Sequence, residues 1–148
     1  PAPNGGPAFS TVAVGEGGAA QGAQQLVAYS DYNNGNHGSG NVVEANLFRE
    51  RTITTADVGR TVTFSFDARR GDLAGATTAM AFVKTLDPNA GYATTRLATQ
   101  VTTAIPTTWA RYEVALDIDA GLVGQILQYG FASRATNYAA SGVLYDNL

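Results

Sequence analysis

The 148-residue chain has no cysteine, one lysine, one histidine and few charged residues. Without cysteine it can form neither a disulfide framework nor a thiolate nucleophile or thiolate metal site. Its formal net charge of −3 makes the surface a poor match for phosphate backbones, so we expect no nucleic-acid partner. No apolar run approaches the roughly 20 residues of a membrane-spanning helix, so we expect no membrane insertion.

Hydrophobic residues make up 45% of the chain, and 17 residues are glycine. Threonine and alanine are plentiful, and no segment shows a helical period that we would defend. This composition favours an all-β sandwich, and the length suits one domain with a sizeable core. We therefore predict a single domain over residues 1–148, in which residues 1–7 are linker-like.

The clearest element is RTVTFSFDARR, residues 60–70, where apolar and polar residues alternate with period two. This pattern is typical of a strand with one buried and one solvent-facing side. ARYEVALDI, residues 110–118, repeats it and places Tyr112 on the buried side. Further strands are predicted at residues 8–14, 24–30, 42–53, 77–86, 94–103, 124–134 and 141–148. Short strands separated by turn-forming residues predict a β-sandwich jelly roll of about nine antiparallel strands.

Four stretches, in their order and spacing, resemble the jelly-roll carbohydrate-binding modules of bacterial polysaccharide-degrading enzymes. They are TADVGRTVTFSFDAR, AFVKTLDPNAGY, IPTTWARYEVALDI and LQYGFASRATNYAASGVLYDNL. The nearest groups are the family 4, 16 and 22 type modules of the galactose-binding-like superfamily, and the likeness covers about residues 20–148. Such modules usually open with a strand that carries an Asn-Gly-x-Phe-Glu type motif. The resemblance therefore implies a domain that lacks its opening strand.

The resemblance implies a non-catalytic module that tethers a larger, multimodular bacterial protein to a polysaccharide, secreted or at the cell surface. The residues agree with a binding role, because the chain has no serine-nucleophile elbow, phosphate loop or dinucleotide fingerprint. The alternative is a structural or adhesive subunit of an extracellular filament or surface layer. Such a subunit would self-assemble by strand complementation through an open sheet edge.

Asp146, in the closing YDNL segment, is the predicted metal ligand. In the resembled modules the aspartate of this strand often helps to hold a structural Ca²⁺, an ion that takes six to eight oxygen ligands. The alternative is a carboxylate that caps or solvates the end of a strand. The loop around Asp31, Asn33 and Asn34 is a weaker candidate, because Val42 stands where a calcium loop needs an acid.

Sugar recognition needs a flat apolar surface for the C–H face of a pyranose and planar polar groups for its hydroxyls, and tyrosine offers both. The predicted platforms lie in or beside loops: Tyr29, Tyr32, Tyr92 and Tyr138. A second predicted set lies on the solvent side of the strands, where charged groups can bind hydroxyls or uronates if the strands are neighbours. Its members are Asp67, Arg69, Lys84, Gln128 and Arg134. The alternatives are packing for the tyrosines and an ordinary solvated face for the polar set; Trp109 is expected to be framework.

Overall fold

The computed structural model describes residues 10–29, 40–73, 76–135 and 142–148, in which every long element is a β-strand. The strands are β1 (Ser10–Val14), β2 (Gln24–Tyr29), β3 (Val43–Thr52), β4 (Thr61–Arg70), β5 (Thr78–Asp87), β6 (Ala93–Val101), β7 (Ala110–Asp117), β8 (Ile126–Ala135) and β9 (Gly142–Asp146). Short 3-10 helices lie in the connections at Thr55–Asp57, Pro88–Ala90 and Ala120–Leu122. No helix among the described residues is long and apolar enough to cross a membrane.

The strands form two sheets, one of five strands in the order β1-β2-β9-β4-β7 and one of four in the order β3-β8-β5-β6. Every neighbouring pair is antiparallel. Only β1–β2 and β5–β6 join consecutive strands of one sheet, so the chain otherwise crosses from sheet to sheet. The predicted jelly-roll sandwich of nine antiparallel strands is confirmed.

The core lies between the sheets and is filled by the alternating apolar residues that the sequence pattern singled out. On β4, Phe64 and Phe66 point inward and are buried. Phe131 of β8 stacks on Tyr145 of β9 with ring centroids 3.6 Å apart, and Phe66 meets Phe131 edge-on at 5.2 Å. Tyr112 packs against this core, as predicted.

Tyr145 is the most deeply placed tyrosine among the described residues, and its hydroxyl has a partner. The hydroxyl lies 2.9 Å from the Thr102 hydroxyl, and both residues are fully buried. Burial raises the pKa of Tyr145 far above its ordinary value, because the phenolate would lose its hydration. The last strand is therefore tied to the core by both packing and a hydrogen bond.

Candidate functional site

A polar cluster on the outer face of the five-stranded sheet joins the β1–β2 connection to the end of β9, and we call it the terminal junction. Its members are Gln21, Gln25, Asp67, Arg111, Asp146 and Asn147. Asp67 of β4 stands opposite Asp146 of β9 in the sheet register, and Leu26 of β2 stands opposite Tyr145. Strand pairing therefore brings together side chains that are far apart in the sequence.

Asp67 is the central acceptor of the terminal junction. Its Oδ2 accepts hydrogen bonds from Nδ2 of Asn147 at 2.7 Å and Nε2 of Gln21 at 2.8 Å. Its Oδ1 accepts from Nη1 of Arg111 at 3.1 Å. These hydrogen bonds, with that from Asn147 the largest effect, hold the pKa of Asp67 below its ordinary value despite partial burial. Asp67 is therefore a charged structural acceptor whose oxygens already have donors.

The side-chain amide of Gln25 lies where the oxygens of the terminal junction converge. Its Nε2 is 3.0 Å from the main-chain oxygens of Gln21 and Gly22, and 3.5 Å from Oδ2 of Asp146. Its Oε1 accepts from the main-chain N–H of Glu16 at 3.1 Å. Gln25 is only 1% exposed. A buried amide that uses both ends in this way fixes the connection before β2 against the end of β9.

This geometry bears on the calcium predicted at Asp146. The second oxygen of Asp146, Oδ1, accepts from the N–H of Asn147 at 2.6 Å. Groups of three or more His, Cys, Asp or Glu that could hold a metal are absent from the described residues. Ca²⁺ needs six to eight oxygen ligands around it. Here the NH₂ group of Gln25, a hydrogen-bond donor, points at the three nearest candidate oxygens, which are the main-chain oxygens of Gln21 and Gly22 and Oδ2 of Asp146. This donor set does not fit the ion, so calcium stays a prediction that the geometry does not favour.

Arg69 and Trp109 hold the first part of the same connection. Arg69 forms an ion pair with Glu16 and donates from Nε to the main-chain oxygen of Glu16 at 3.2 Å. Trp109 donates from Nε1 to that same oxygen at 3.2 Å, and the Arg69 guanidinium lies 5.7 Å from the centre of its ring. Trp109 therefore has a framework role, as expected.

The outer face of the four-stranded sheet, which we call the four-strand face, differs in character. Since Leu127 and Phe131 of β8 point into the core, the residues between them point outward. Strand register gives the following outward residues: Glu44, Asn46, Phe48 and Glu50 on β3; Gln128, Gly130, Ala132 and Arg134 on β8; Thr78, Met80, Phe82 and Lys84 on β5; Leu97, Thr99 and Val101 on β6. Many of these residues are apolar although they face away from the core.

An apolar row crosses the middle of the four-strand face. Phe48 and Phe82 stand on either side of Gly130 in the register. Phe48 is 44% exposed, whereas Phe82 is 3% exposed and has the Lys84 ammonium 4.8 Å from its ring centre. Gly130 has no room for a side chain, because a Cβ there would lie 2.1 Å from the Leu47 oxygen. The row thus has an exposed aromatic ring on β3, whereas Gly130 and Phe82 on the two central strands are buried.

Polar pairs flank the row on both sides. On one side Gln128 stands between Glu50 and Lys84 in the register, and its Nε2 donates to Oε2 of Glu50 at 2.7 Å. On the other side Arg134 pairs with Glu44 at 2.8 Å, and Nδ2 of Asn46 donates to Glu44 at 2.9 Å. Planar amide, carboxylate and guanidinium groups therefore surround the apolar row.

The structure divides the polar set that the sequence analysis grouped together. Lys84, Gln128 and Arg134 do share the four-strand face, since β5 and β8 are neighbours. Asp67 and Arg69 lie on β4, in the other sheet, where they serve the terminal junction. The idea of one row of five residues is therefore wrong, because alternation along a strand indicates the side of a sheet but not which sheet.

Of the predicted tyrosine platforms, Tyr92 lies among the described side chains. It is 63% exposed at the β5–β6 turn and has a positive φ of 63°, directly after Gly91. Tyr29 is the last residue of β2, and its side chain lies outside the described part of the structure. Tyr32, Tyr138 and the loop candidates Asp31, Asn33 and Asn34 also lie outside it. For these residues the role stays a prediction.

Phe48 was not among the predicted platforms, although a signal was present. In the segment VEANLFRE it is the only aromatic residue on the side that carries Glu44, Asn46 and Glu50. A single aromatic residue among polar residues that point to the same side of a strand indicates an exposed aromatic ring.

Comparisons with known proteins support the fold. No protein-family model matches the sequence, and no curated protein is significantly similar to it. Among solved structures, the enzymatically active domain of tailspike protein 4 from bacteriophage CBA120 is similar, with a TM-score of 0.57 and 14% identity over 96% of this chain. The match spans only 18% of the tailspike chain. At this identity the likeness concerns the fold alone.

Two further similar structures are carbohydrate-binding modules. The CBM22-1 xylan-binding domain of Xyn10C from Paenibacillus barcinonensis has a TM-score of 0.47 and 18% identity, over 95% of this chain and 80% of that one. A structure described as CBM4 has a TM-score of 0.44 and 15% identity, over 94% of this chain and 76% of that one.

Proposed function

We propose that the protein binds a polysaccharide on the four-strand face and performs no chemistry on it. The observation that carries the proposal is the exposed ring of Phe48 beside Gly130, flanked by planar polar groups. A pyranose offers an apolar C–H face and a rim of hydroxyls. An aromatic ring matches the first, and the amide and carboxylate groups of Gln128 and Glu50 match the second.

The ring of Phe48 is the exposed aromatic surface of the row, since Phe82 is 3% exposed and Gly130 is buried. A ligand is therefore expected to stack on Phe48, at the β3 end of the row. With four strands about 4.8 Å apart, the row of Phe48, Gly130, Phe82 and Thr99 spans about 14 Å. That length accommodates a short stretch of an extended sugar chain.

The charges of the four-strand face favour an uncharged glycan. Its two cations are Lys84 and Arg134, and its two carboxylates are Glu44 and Glu50. Arg134 already forms an ion pair with Glu44. On the opposite sheet Arg69 is paired with Glu16. Arg69 and Arg134, two of the three cations that could attract a uronate or sulfated polymer, are thus already paired, so a neutral glucan, xylan or galactan is the better candidate.

Binding without catalysis is supported by the spacing of the two carboxylates. Glycoside hydrolysis uses two carboxyl groups about 5 to 10 Å apart across the bond that is cleaved. Glu44 and Glu50 are six residues apart on β3, which corresponds to about 20 Å at the rise of a β-strand. Both are also held by hydrogen bonds to neighbouring side chains.

A site of this kind is expected to bind weakly, because sugar hydroxyls must leave water and little apolar area is buried. Weak binding is sufficient for a module that tethers a larger secreted protein to an insoluble polymer, since attachment raises the effective concentration of its companion domains. The proposed setting is therefore a multimodular protein outside the cell or on its surface.

Affinity electrophoresis tests the proposal. The pure protein is run through gels that contain β-glucan, xylan, mannan, galactan, alginate or a sulfated glycan, and its mobility is compared with that in a plain gel. Retardation by one neutral polymer is the expected result. Equal mobility in every gel would overturn the proposal, and retardation by alginate or the sulfated glycan alone would overturn its assignment to a neutral polymer.

A further inference from the structure

One half of β4 lacks a neighbouring strand on the side of β9. β4 pairs with β7 from Thr61 to Ala68, but it pairs with β9 only from Asp67 to Arg70. Among the described residues no strand pairs with Thr61–Phe66 on this side. We call this position, in line with β9, the open strand position.

Main-chain hydrogen-bonding groups point toward the open strand position. The N–H of Ile118 donates to the Arg60 oxygen at 2.9 Å. This hydrogen bond shows which residues of β4 bond to β7, namely every second residue counted from Arg60. Because residues of an antiparallel pair alternate in direction, Val62 and Phe64 exchange hydrogen bonds with β7. The N–H and C=O groups of Thr61, Thr63 and Ser65 therefore point the other way.

A cleft of about 780 Å³ lies beside these groups and opens between the two sheets. Its apolar lining includes Leu26, Leu47, Val62, Phe64, Leu127 and Tyr129. Its lining also contains the exposed arginines Arg49, Arg51 and Arg111. Arg51 pairs with Asp57 and Arg111 with Asp67, whereas Arg49 has no ion-pair partner among the described residues.

Within the described chain, β9 itself does not fill this position. Asn147 has a positive φ of 49°, so the backbone leaves the extended conformation there. Its N–H is bound to Asp146, its side chain to Ala20 and Asp67, and its oxygen to Arg111. These contacts hold the end of β9 at the terminal junction, so that among the described residues no strand pairs with the backbone groups of Thr61, Thr63 and Ser65.

We propose that the cleft accepts an extended segment of another polypeptide as one more strand, antiparallel to β4. A row of unpaired backbone groups beside an apolar cleft suits a peptide better than a compact small molecule, because each alternate residue can exchange hydrogen bonds with β4. Apolar side chains at alternate positions lie beside Val62 and Phe64, and an acidic side chain lies beside Arg49. The proposed partner is a protein segment, and the cleft that receives it also borders Phe48 and Gly130 of the four-strand face.

Amide hydrogen exchange, followed by NMR, tests the proposal with the acetylated hexapeptide Thr-Val-Thr-Val-Thr-Glu. We expect the peptide to slow exchange at Thr63 and Ser65 at least tenfold and to leave Thr99, on the other sheet, unchanged. Unchanged exchange at both residues with excess peptide would overturn the proposal. Slow exchange at both residues before peptide is added would also overturn it, since the position would already be paired.

A pair of variants separates strand addition from adhesion to the apolar cleft. Thr63→Pro removes an N–H that points away from β7, so the β4–β7 ladder keeps its hydrogen bonds, whereas Thr63→Ala keeps the N–H. We expect Thr63→Pro to weaken peptide binding at least tenfold and Thr63→Ala to change it less than twofold. Equal binding by both variants would contradict the proposal. If Thr63→Pro does not fold, Arg49→Glu serves instead: it must weaken binding of this peptide and strengthen binding of its lysine-ended analogue.

Discussion

Asp67 was predicted to bind ligand, whereas in the structure its carboxylate accepts hydrogen bonds that hold the fold together. Its neighbours in space are Asn147, Gln21 and Arg111, all distant in sequence. The alternation of β4 predicted that Asp67 faces away from the core. It could not predict the donors, because the pairing of β4 with β9 and the path of the β1–β2 connection bring them there.

The lowered pKa of Asp67 predicts a pH dependence of stability. In the unfolded chain an aspartate has a pKa of about 3.9, so as the pH falls the unfolded state takes up the proton first and the free energy of unfolding decreases. The contribution of the charged Asp67 side chain to the free energy of unfolding is complete well above pH 4, and it is lost as the pH falls through the pKa of Asp67 in the native state. We expect Asp67→Asn to cost about 1–3 kcal/mol at pH 7, and this difference from wild type to shrink toward pH 3. Denaturant titrations at several pH values measure it.

Asp72→Asn is the matched control, because Asp72 is an exposed aspartate near the end of the same strand. We expect the control to follow the wild-type pH profile. A constant difference between wild type and Asp67→Asn from pH 7 to pH 3 would contradict the role assigned to the Asp67 charge.

The side-chain amide of Gln25 is also expected to contribute to stability. Gln25→Ala removes a buried amide and leaves the oxygens of Gln21 and Gly22 and the N–H of Glu16, which are buried or partly buried, without their partner, which costs about 1–3 kcal/mol. Gln24→Ala, at the exposed neighbouring position, is expected to change stability by less than about 0.5 kcal/mol. Thermal unfolding with calcium and with chelator completes the test. Equal stability of the wild type in both is expected, and a clear loss in chelator would show that an ion, rather than the amide, holds this junction.

Among the secondary-structure elements, strands β3 and β8 are in unusually close contact at Gly130. It lies in β8, a central strand, where a Cβ would lie 2.1 Å from the Leu47 oxygen and 2.6 Å from Cα of Phe48. Gly130→Ala must therefore push β3 away from β8, and we expect a cost of about 1–3 kcal/mol. Thr99→Ala, an exposed change in the same row, is the control. Chemical denaturation of both variants measures the effect, and equal stability of Gly130→Ala and wild type would show that the two strands are not in such close contact.

The elements themselves were largely predictable from the sequence, because burial on one side imposes a period of two on a strand. β4 and β7 show this period clearly, and β5 and β8, the two central strands of the other sheet, were also predicted as strands. Sheet membership was not predictable, because it depends on which strands meet after long crossovers. The sequence places both Lys84 and Asp67 on the solvent-facing side of a strand. In the structure they lie on different sheets, on opposite sides of the molecule.

In the molecule as a whole, the two outer faces differ in character. On the five-stranded sheet, the part of the outer face at β2, β9 and the end of β4 is covered by contacts that fix the β1–β2 connection and the end of β9. The four-strand face carries exposed apolar groups, Phe48, Leu97 and Val101 among them, that no described segment covers. A solvated sheet face is ordinarily polar, so exposed apolar side chains at both edges of this face point to a binding surface.

The proposed stacking of the glycan on Phe48 of the four-strand face can be tested by comparing two variants. Affinity electrophoresis in the polymer that retards the wild type is repeated with Phe48→Ala and with Val14→Ala, which trims an exposed apolar side chain of the other sheet. Loss of a stacking ring predicts an affinity about tenfold lower for Phe48→Ala and no change for Val14→Ala. Retardation of a folded Phe48→Ala equal to that of the wild type would contradict the account.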